Sequence, residues 1–404
     1  MNYKDKSVLV IDNGLFVSLA ELLVQHFGKV GYFCDWQSSF PDGRELIVGS
    51  GLDGIDRVKY LWPVIDQYDL FVFPDCWNGD LQEYLRSQGK RVWGGGARSD
   101  LELGRWRTHE LLGRVGLPVN QADQIFGLDA LREYLQTNED VFIKVSALRG
   151  LGETFHAQNY DLVKGQLDDL QARYGAMMEV TTFIAEKSIP DAQELGYDGY
   201  CIDGEFPNSA WFGAEEKDKA YFGKLLNYDE LPDEVKTVNT KLSYHMDGYR
   251  QFFSTELRNE FLIDTTCRHA SPAGEVICGA MTNIADVLYQ GAEGHLVHGE
   301  WLAKYAAQII ICSEWAEEHV TCLEFPEEIR PYLKLYNHCR INGKDYIVPQ
   351  LAKMKQLGSV VGFGDSPEAA CKAAQERAEK IKGYDLEIET DSLTKAVKTL
   401  EESL

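Results

Sequence analysis

Apolar residues recur along the first hundred or so positions in two alternating rhythms. VLVIDN (Val8 to Asn13), VGYFC (Val30 to Cys34), YDLFVFPD (Tyr68 to Asp75) and KRVWGGG (Lys90 to Gly96) are short apolar runs of strand length. LFVSLAELLVQHFG and LQEYLRSQG, between them, place apolar residues at helical spacing and stop at Gly28 and Gly89. Such alternation predicts a parallel sheet with helices on its faces. The loop DNGLF after the first strand lies where such sheets meet ligands, but it lacks GxGxxG, which disfavours a nicotinamide-dependent dehydrogenase. Next, a helix is expected from Asp100 to Val115, stopped by Gly116, and then a small α+β unit of strand, helix, strand, loop, helix and strand to about Val180. Phe183 to Ala285 reads as strand-rich and Glu300 to His319 as helical. At the end SVVGFG precedes the helix SPEAACKAAQERAEKIKG, with Ser366 at its N-cap, Pro367 at its first position and Gly383 beyond it.

Composition narrows the function classes. A chain of 404 residues, 44% hydrophobic and 26% charged, is globular and too long for one ordinary core. No apolar run reaches the length of a membrane span, and the N-terminus runs into a strand without a signal segment, so a cytoplasmic protein is expected, with no membrane partner. The nine cysteines include no CxxC pair, so reduced thiols are expected rather than a zinc site or a disulfide framework. With 40 basic and 64 acidic residues the net charge is -24, which argues against a nucleic-acid partner. A compact anion held in a local cationic pocket is still compatible with that charge.

Three stretches carry candidate chemistry. In VFIKVSALRGLGETF, Lys144 interrupts an apolar strand and is followed by a loop with Gly150 and Gly152. A lysine there either snorkels to water or neutralises an anion, and glycines let backbone N–H groups approach phosphate oxygens. The spacing fits neither the Walker pattern nor GxGxxG, and alone it suits an edge strand with a flexible hairpin at least as well. FIAEKSIPDAQELGYDGYCIDGEF puts Glu186 and Lys187 at one strand end and Glu194 at the head of another strand, where acids can take hydrogen bonds from ribose hydroxyls or an exocyclic amine. A solvated hairpin with charged ends explains that stretch equally well. FFSTELRNEFLIDTTCRHASP reads as a β-hairpin turning at Arg258 and Asn259, with Glu256 and Asp264 on paired strands and Arg268 just beyond. Two such carboxylates suit a magnesium ion that carries nucleotide phosphates, and the arginine suits charge growing on a transferring phosphoryl group. Without the other stretches, a surface ion-pair network is the simpler account of this hairpin.

The order of these features resembles the ATP-grasp superfamily, and the organisation of the chain looks most like the glycinamide ribonucleotide synthetases, or phosphoribosylamine–glycine ligases. DLFVFPD followed by GKRVWGGGARSDLELGRWRTHELLGRVGLPV resembles that family's strand, glycine turn and entry helix, with Arg105 where a nucleotide-contacting lysine usually stands. The resemblance makes Lys144 the second nucleotide cation and the loop Ala147 to Thr154, with Gly150 and Gly152, the flap over the phosphates. It makes Glu186, Lys187 and Glu194 nucleotide-binding residues, Glu256 and Asp264 the metal carboxylates, and Arg268 the catalytic arginine, DTTCR standing where ExNxR is usual. It implies an ATP-grasp fold of mixed α/β and α+β class. The parts would be an N-terminal Rossmann-like parallel-sheet domain (1–118), a lid subdomain (119–184), a central strand-rich domain with the metal site (185–330) and a C-terminal α+β unit (331–404). The implied activity is ATP-dependent joining of a small carboxylate to a small amine through an acyl phosphate, with Mg2+, or Mn2+ in its place; the alternative is an inactive nucleotide sensor or scaffold on the same fold. Departures fall on the substrate side: IDNGLF replaces the GxGGREH-type loop, and YRQFFSTELR and RHASPAGE replace NTGGMG and RFGDPE.

Overall fold

The computed structural model describes residues 3–35, 46–145, 154–190, 194–350 and 354–403, which fall into two compact units. The first unit comprises Met1–Ser99, Leu195–Thr255 and Thr266–Leu404; the second comprises Asp100–Glu194 and Glu256–Thr265.

The first unit opens with the expected parallel sheet. Its elements are β1 (Tyr3–Asp12), α1 (Val17–Leu23), β2 (Phe27–Cys34), β3 (Ile55–Val58), β4 (Leu70–Val72), α2 (Gly79–Ser87) and β5 (Arg91–Trp93). The strands run parallel in the order β3-β2-β1-β4-β5. Val8, Leu9 and Val10 are fully buried, as a strand covered on both faces requires. Strand order reverses between β1 and β4, the point where ligands of open α/β sheets bind. One expectation is corrected here. α1 ends at Leu23, and Gly28 lies inside β2, not at a helix stop. A Cβ on Gly28 would sit 2.0 Å from the Lys4 carbonyl, so close passage of the neighbouring strand, not helix termination, requires glycine.

The second unit begins with two short helices, α3 (Asp100–Leu103) and α4 (Arg105–Arg114), in place of the single expected helix. Gly104, at φ -101° and ψ 51°, separates them. There follow β6 (Ala122–Phe126), α5 (Leu128–Leu135), β7 (Val141–Val145), β8 (Thr154–Ala157), α6 (Tyr160–Tyr174), α7 (Met177–Val180) and β9 (Thr182–Lys187). The strands form an antiparallel sheet in the order β6-β9-β7-β8. Leu128, Leu131, Ile143, Val145, Leu167 and Phe183 build a core belonging to this unit alone. Alternation along β7 sends Val141, Ile143 and Val145 into that core and leaves Phe142 and Lys144 on the other face.

The remaining elements begin with β10 (Glu194–Ile202), β11 (Ser209–Glu216), β12 (Ala220–Asn227), α8 (Asp233–Ser243), β13 (Arg250–Arg258), β14 (Phe261–Thr266), α9 (Ala273–Ala280) and α10 (Ile284–Gly291). They continue with β15 (Tyr305–Cys312), β16 (Thr321–Glu324), β17 (Leu333–Leu335), β18 (His338–Ile341), β19 (Lys344–Ile347), β20 (Gln356–Gly364) and α11 (Pro367–Ala378). The large sheet has the order β14-β13-β10-β11-β12-β15-β20-β17. The hairpin of β13 and β14 is as expected, turning at Asn259 with φ 53°, and its tip, Glu256–Thr265, counts with the second unit. Two expectations fail. Within Glu300 to His319 the main element is the strand β15, paired on both sides by β12 and β20, and the strand-rich stretch Phe183 to Ala285 also holds α8, α9 and part of α10. The C-terminal helix has the expected cap, Ser366 Oγ accepting from the Ala369 N–H at 3.2 Å.

Candidate functional site

In the second unit the site starts from strand register. β7 and β9 run antiparallel with Phe142 opposite Glu186 and Lys144 opposite Ile184, so Lys144 and Glu186 are diagonal neighbours on one face. Their charged ends are 3.0 Å apart, with side chains only 8% and 14% exposed. The Lys144 ammonium also donates to the Ile263 carbonyl of β14. Thr154 lies opposite Lys144 on β8, and its hydroxyl accepts from Arg105 Nη1 at 3.4 Å. Nη2 of the same guanidinium lies 3.3 Å from Asp264 Oδ2, while Asp264 Oδ1 accepts from the Thr265 N–H at 2.9 Å. Two mostly buried cations from different elements, each paired to a carboxylate, are therefore tied through Thr154 and the β14 backbone.

Glu256, partly buried, is on β13 in the same unit. Lys187 is exposed on the opposite side of β9 from Glu186; its N–H donates to the Gln121 carbonyl at 2.9 Å and its carbonyl accepts from Asn120 Nδ2 at 2.8 Å. Glu194 heads β10, but its side chain is outside the described residues, as are Gly150 and Gly152 with the rest of 146–153. Among the described residues no group of three or more His, Cys, Asp or Glu side chains gathers as for a metal held by protein alone. A magnesium ion held by one or two carboxylates and completed by phosphates and water fits Glu256 and Asp264, which are hard oxygen donors.

Arg268 belongs to the first unit, where its Nε is 3.9 Å from Asp75 Oδ1. Asp75 and Asp12 close the carboxyl edge of the parallel sheet on either side of the strand-order reversal. Asp75 accepts from the Cys76 N–H at 2.7 Å and from Asn13 Nδ2 at 3.0 Å. Asp12 accepts from the N–H groups of Asn13 and Phe16 and from the Tyr32 hydroxyl, at 2.6, 2.9 and 2.7 Å. Burial pushes Asp12 up to about 6. Neither acid is among the candidates drawn from the sequence, although the signal is present there, an Asp at or just after the end of each of two apolar strands. His109, one helical turn beyond Arg105, is likewise not among those candidates; its ring stacks on Trp106 with centroids 5.1 Å apart.

No family model matches the sequence, and no curated protein sequence matches it. Solved structures do. A phosphoribosylamine–glycine ligase from Thermotoga maritima superposes with a TM-score of 0.71 at 13% identity, covering 95% of this chain and 99% of that one. The chain has the ATP-grasp fold. Other structures of this fold agree: biotin carboxylase from Campylobacter jejuni, in complex with β,γ-ATP, gives 0.63 at 13% identity over 96% of this chain and 94% of that one. An L-amino acid ligase from Bacillus licheniformis gives 0.59 at 15% identity over 95% and 99%. The ATP-grasp fold thus spans nearly the whole chain at identities that carry fold and leave the reaction to be argued from the site.

Proposed function

We propose that the protein is an ATP-dependent, ADP-forming ligase that joins a small carboxylate to a small amine through an acyl phosphate. The observation that carries this is the linked pair of buried cations, Lys144 and Arg105, set on an ATP-grasp fold. On ligand binding both would exchange partners: the cations turn to phosphate oxygens, and the carboxylates are freed for metal and ribose. Arg105 and Lys144 would hold phosphates, and Glu186, Lys187 and Glu194 the rest of the nucleotide. Glu256 and Asp264 would hold magnesium, or manganese, which when bound neutralises phosphate charge and aligns the transferring group. Arg268 would stabilise the charge that grows as the phosphoryl group moves to the carboxylate. The loop with Gly150 and Gly152 would keep water from the acyl phosphate. The four-part division at 118, 184 and 330 and a cytoplasmic location complete the proposal; no helix among the described residues is long and apolar enough to cross a membrane.

The test is a screen of carboxylate and amine pairs for stimulated ADP formation, with mass spectrometry of the product. The proposal expects ADP release that needs both substrates and a product heavier than either. MgATP binding without turnover across a broad panel would favour the non-catalytic sensor or scaffold.

A further inference from the structure

α4 carries Arg105 and His109 four residues apart, one above the other on a single helical face. The imidazole of His109 is half-buried and lies nearly parallel to the Trp106 ring, at 15°. Among the described residues neither ring nitrogen has a hydrogen-bond partner. The charged groups whose fields act on it are Glu186 from β9, Lys144 from β7 and Glu110 from its own helix. Glu110 also accepts from Trp106 Nε1 at 3.1 Å, which fixes the stacking partner.

A half-buried imidazole with unused nitrogens, a turn from one proposed phosphate cation and within the field of the other, fits a ligand group better than a packing role. Burial is the largest influence on the ring, ahead of Glu186, which favours the charged form, and Lys144, which opposes it, and it holds His109 below its ordinary value, neutral at pH 7. A polyphosphate along Arg105 and Lys144 would add negative charge beside the ring and reverse that balance. We infer that His109 is a further binding residue of the nucleotide site and that it takes up a proton from solvent when a polyphosphate binds, becoming an imidazolium that donates to a phosphate oxygen. The inference rests on the nucleotide-binding proposal. One N–H bond forms, the proton comes from the buffer, and no other bond changes.

Calorimetric titration of the full chain with MgADP at pH 7, in two buffers of different ionisation enthalpy, reads this proton directly. Wild type should take up roughly half a proton more than His109→Gln or His109→Phe, and its affinity should fall more steeply than theirs from pH 6 to 8. The phenylalanine retains an aromatic ring against Trp106 but cannot be protonated. Tight binding by both variants with the wild-type proton uptake would overturn the inference while leaving the nucleotide site standing. Absence of any MgADP binding by wild type at millimolar concentration would instead remove the nucleotide site itself. Histidine resonances of wild type followed through pH, with and without MgADP, give a second reading free of variants. One histidine should shift its midpoint upward, and unchanged midpoints would overturn the inference.

Discussion

Lys144 and Glu186 illustrate what a residue does for the fold and what it would do for the reaction. Both are mostly out of water and 3.0 Å apart, so replacing one partner leaves the other charged and uncompensated, at a cost of about 3–5 kcal/mol. Lys144→Met should therefore lower unfolding stability by about that much, and adding Glu186→Gln should restore most of it. Nucleotide affinity should fail to return with the stability. Urea unfolding and MgADP titration of the three proteins separate the roles; wild-type affinity in the double variant would make the lysine a structural residue. Lys144 and Glu186 were both legible as residues, a lysine interrupting an apolar strand and an acid at a strand end. Their contact was not, because strand register depends on partners distant in sequence. Arg105 and Asp264 repeat the pattern, each a candidate in its own stretch, with only the fold revealing the 3.3 Å between them.

At the scale of elements, a cap written in side-chain chemistry was legible, whereas a run that is mostly apolar on every face was not. The Ser366 cap is a stereochemical device, and it appears as expected: Ser366→Ala should cost about 1 kcal/mol by thermal unfolding, and Ser366→Asp much less. YAAQIIIC is, apart from Gln308, a continuous apolar run, and periodicity alone cannot separate a buried strand from a buried helix. β15 became a strand because β12 and β20 are available on its two sides. A proline at Ile309, which pairs with Ala220 on one side and Val360 on the other, should abolish folding, whereas an isolated surface helix would tolerate more. Soluble expression of Ile309→Pro at the wild-type melting temperature would contradict the central placement of this strand.

For the whole molecule, burial of acids makes stability depend on pH. Glu275, 2% exposed, accepts from the Tyr336 hydroxyl at 2.8 Å, and burial pushes it up to about 7 from an ordinary 4.5. The folded protein thus keeps a proton that the unfolded chain gives up. The stabilisation is complete below about pH 4.5 and is lost as pH rises through 7, roughly 3 kcal/mol in all. Asp12 and Asp198, each raised to about 6 chiefly by burial, act in the same sense. Glu275→Gln should flatten the decline between pH 5 and 8, read as melting temperature against pH, and an unchanged slope would place the effect elsewhere. The fold was legible as an order of elements and stretches, and the match to a phosphoribosylamine–glycine ligase at 13% identity carries that fold alone; IDNGLF and RHASPAGE, where the sequence resemblance breaks off, left the substrate unread.

If Arg105 and Lys144 hold the phosphates of a nucleotide, as proposed, titration of MgADP into wild type, Arg105→Met and the Lys144→Met, Glu186→Gln double variant will show it. Saturable binding by wild type, weakened at least about tenfold in each variant with the fold retained, is the predicted result, since each loses a charge-assisted contact worth more than 1 kcal/mol. No binding by wild type at millimolar MgADP, or equal affinity in all three proteins, would contradict it.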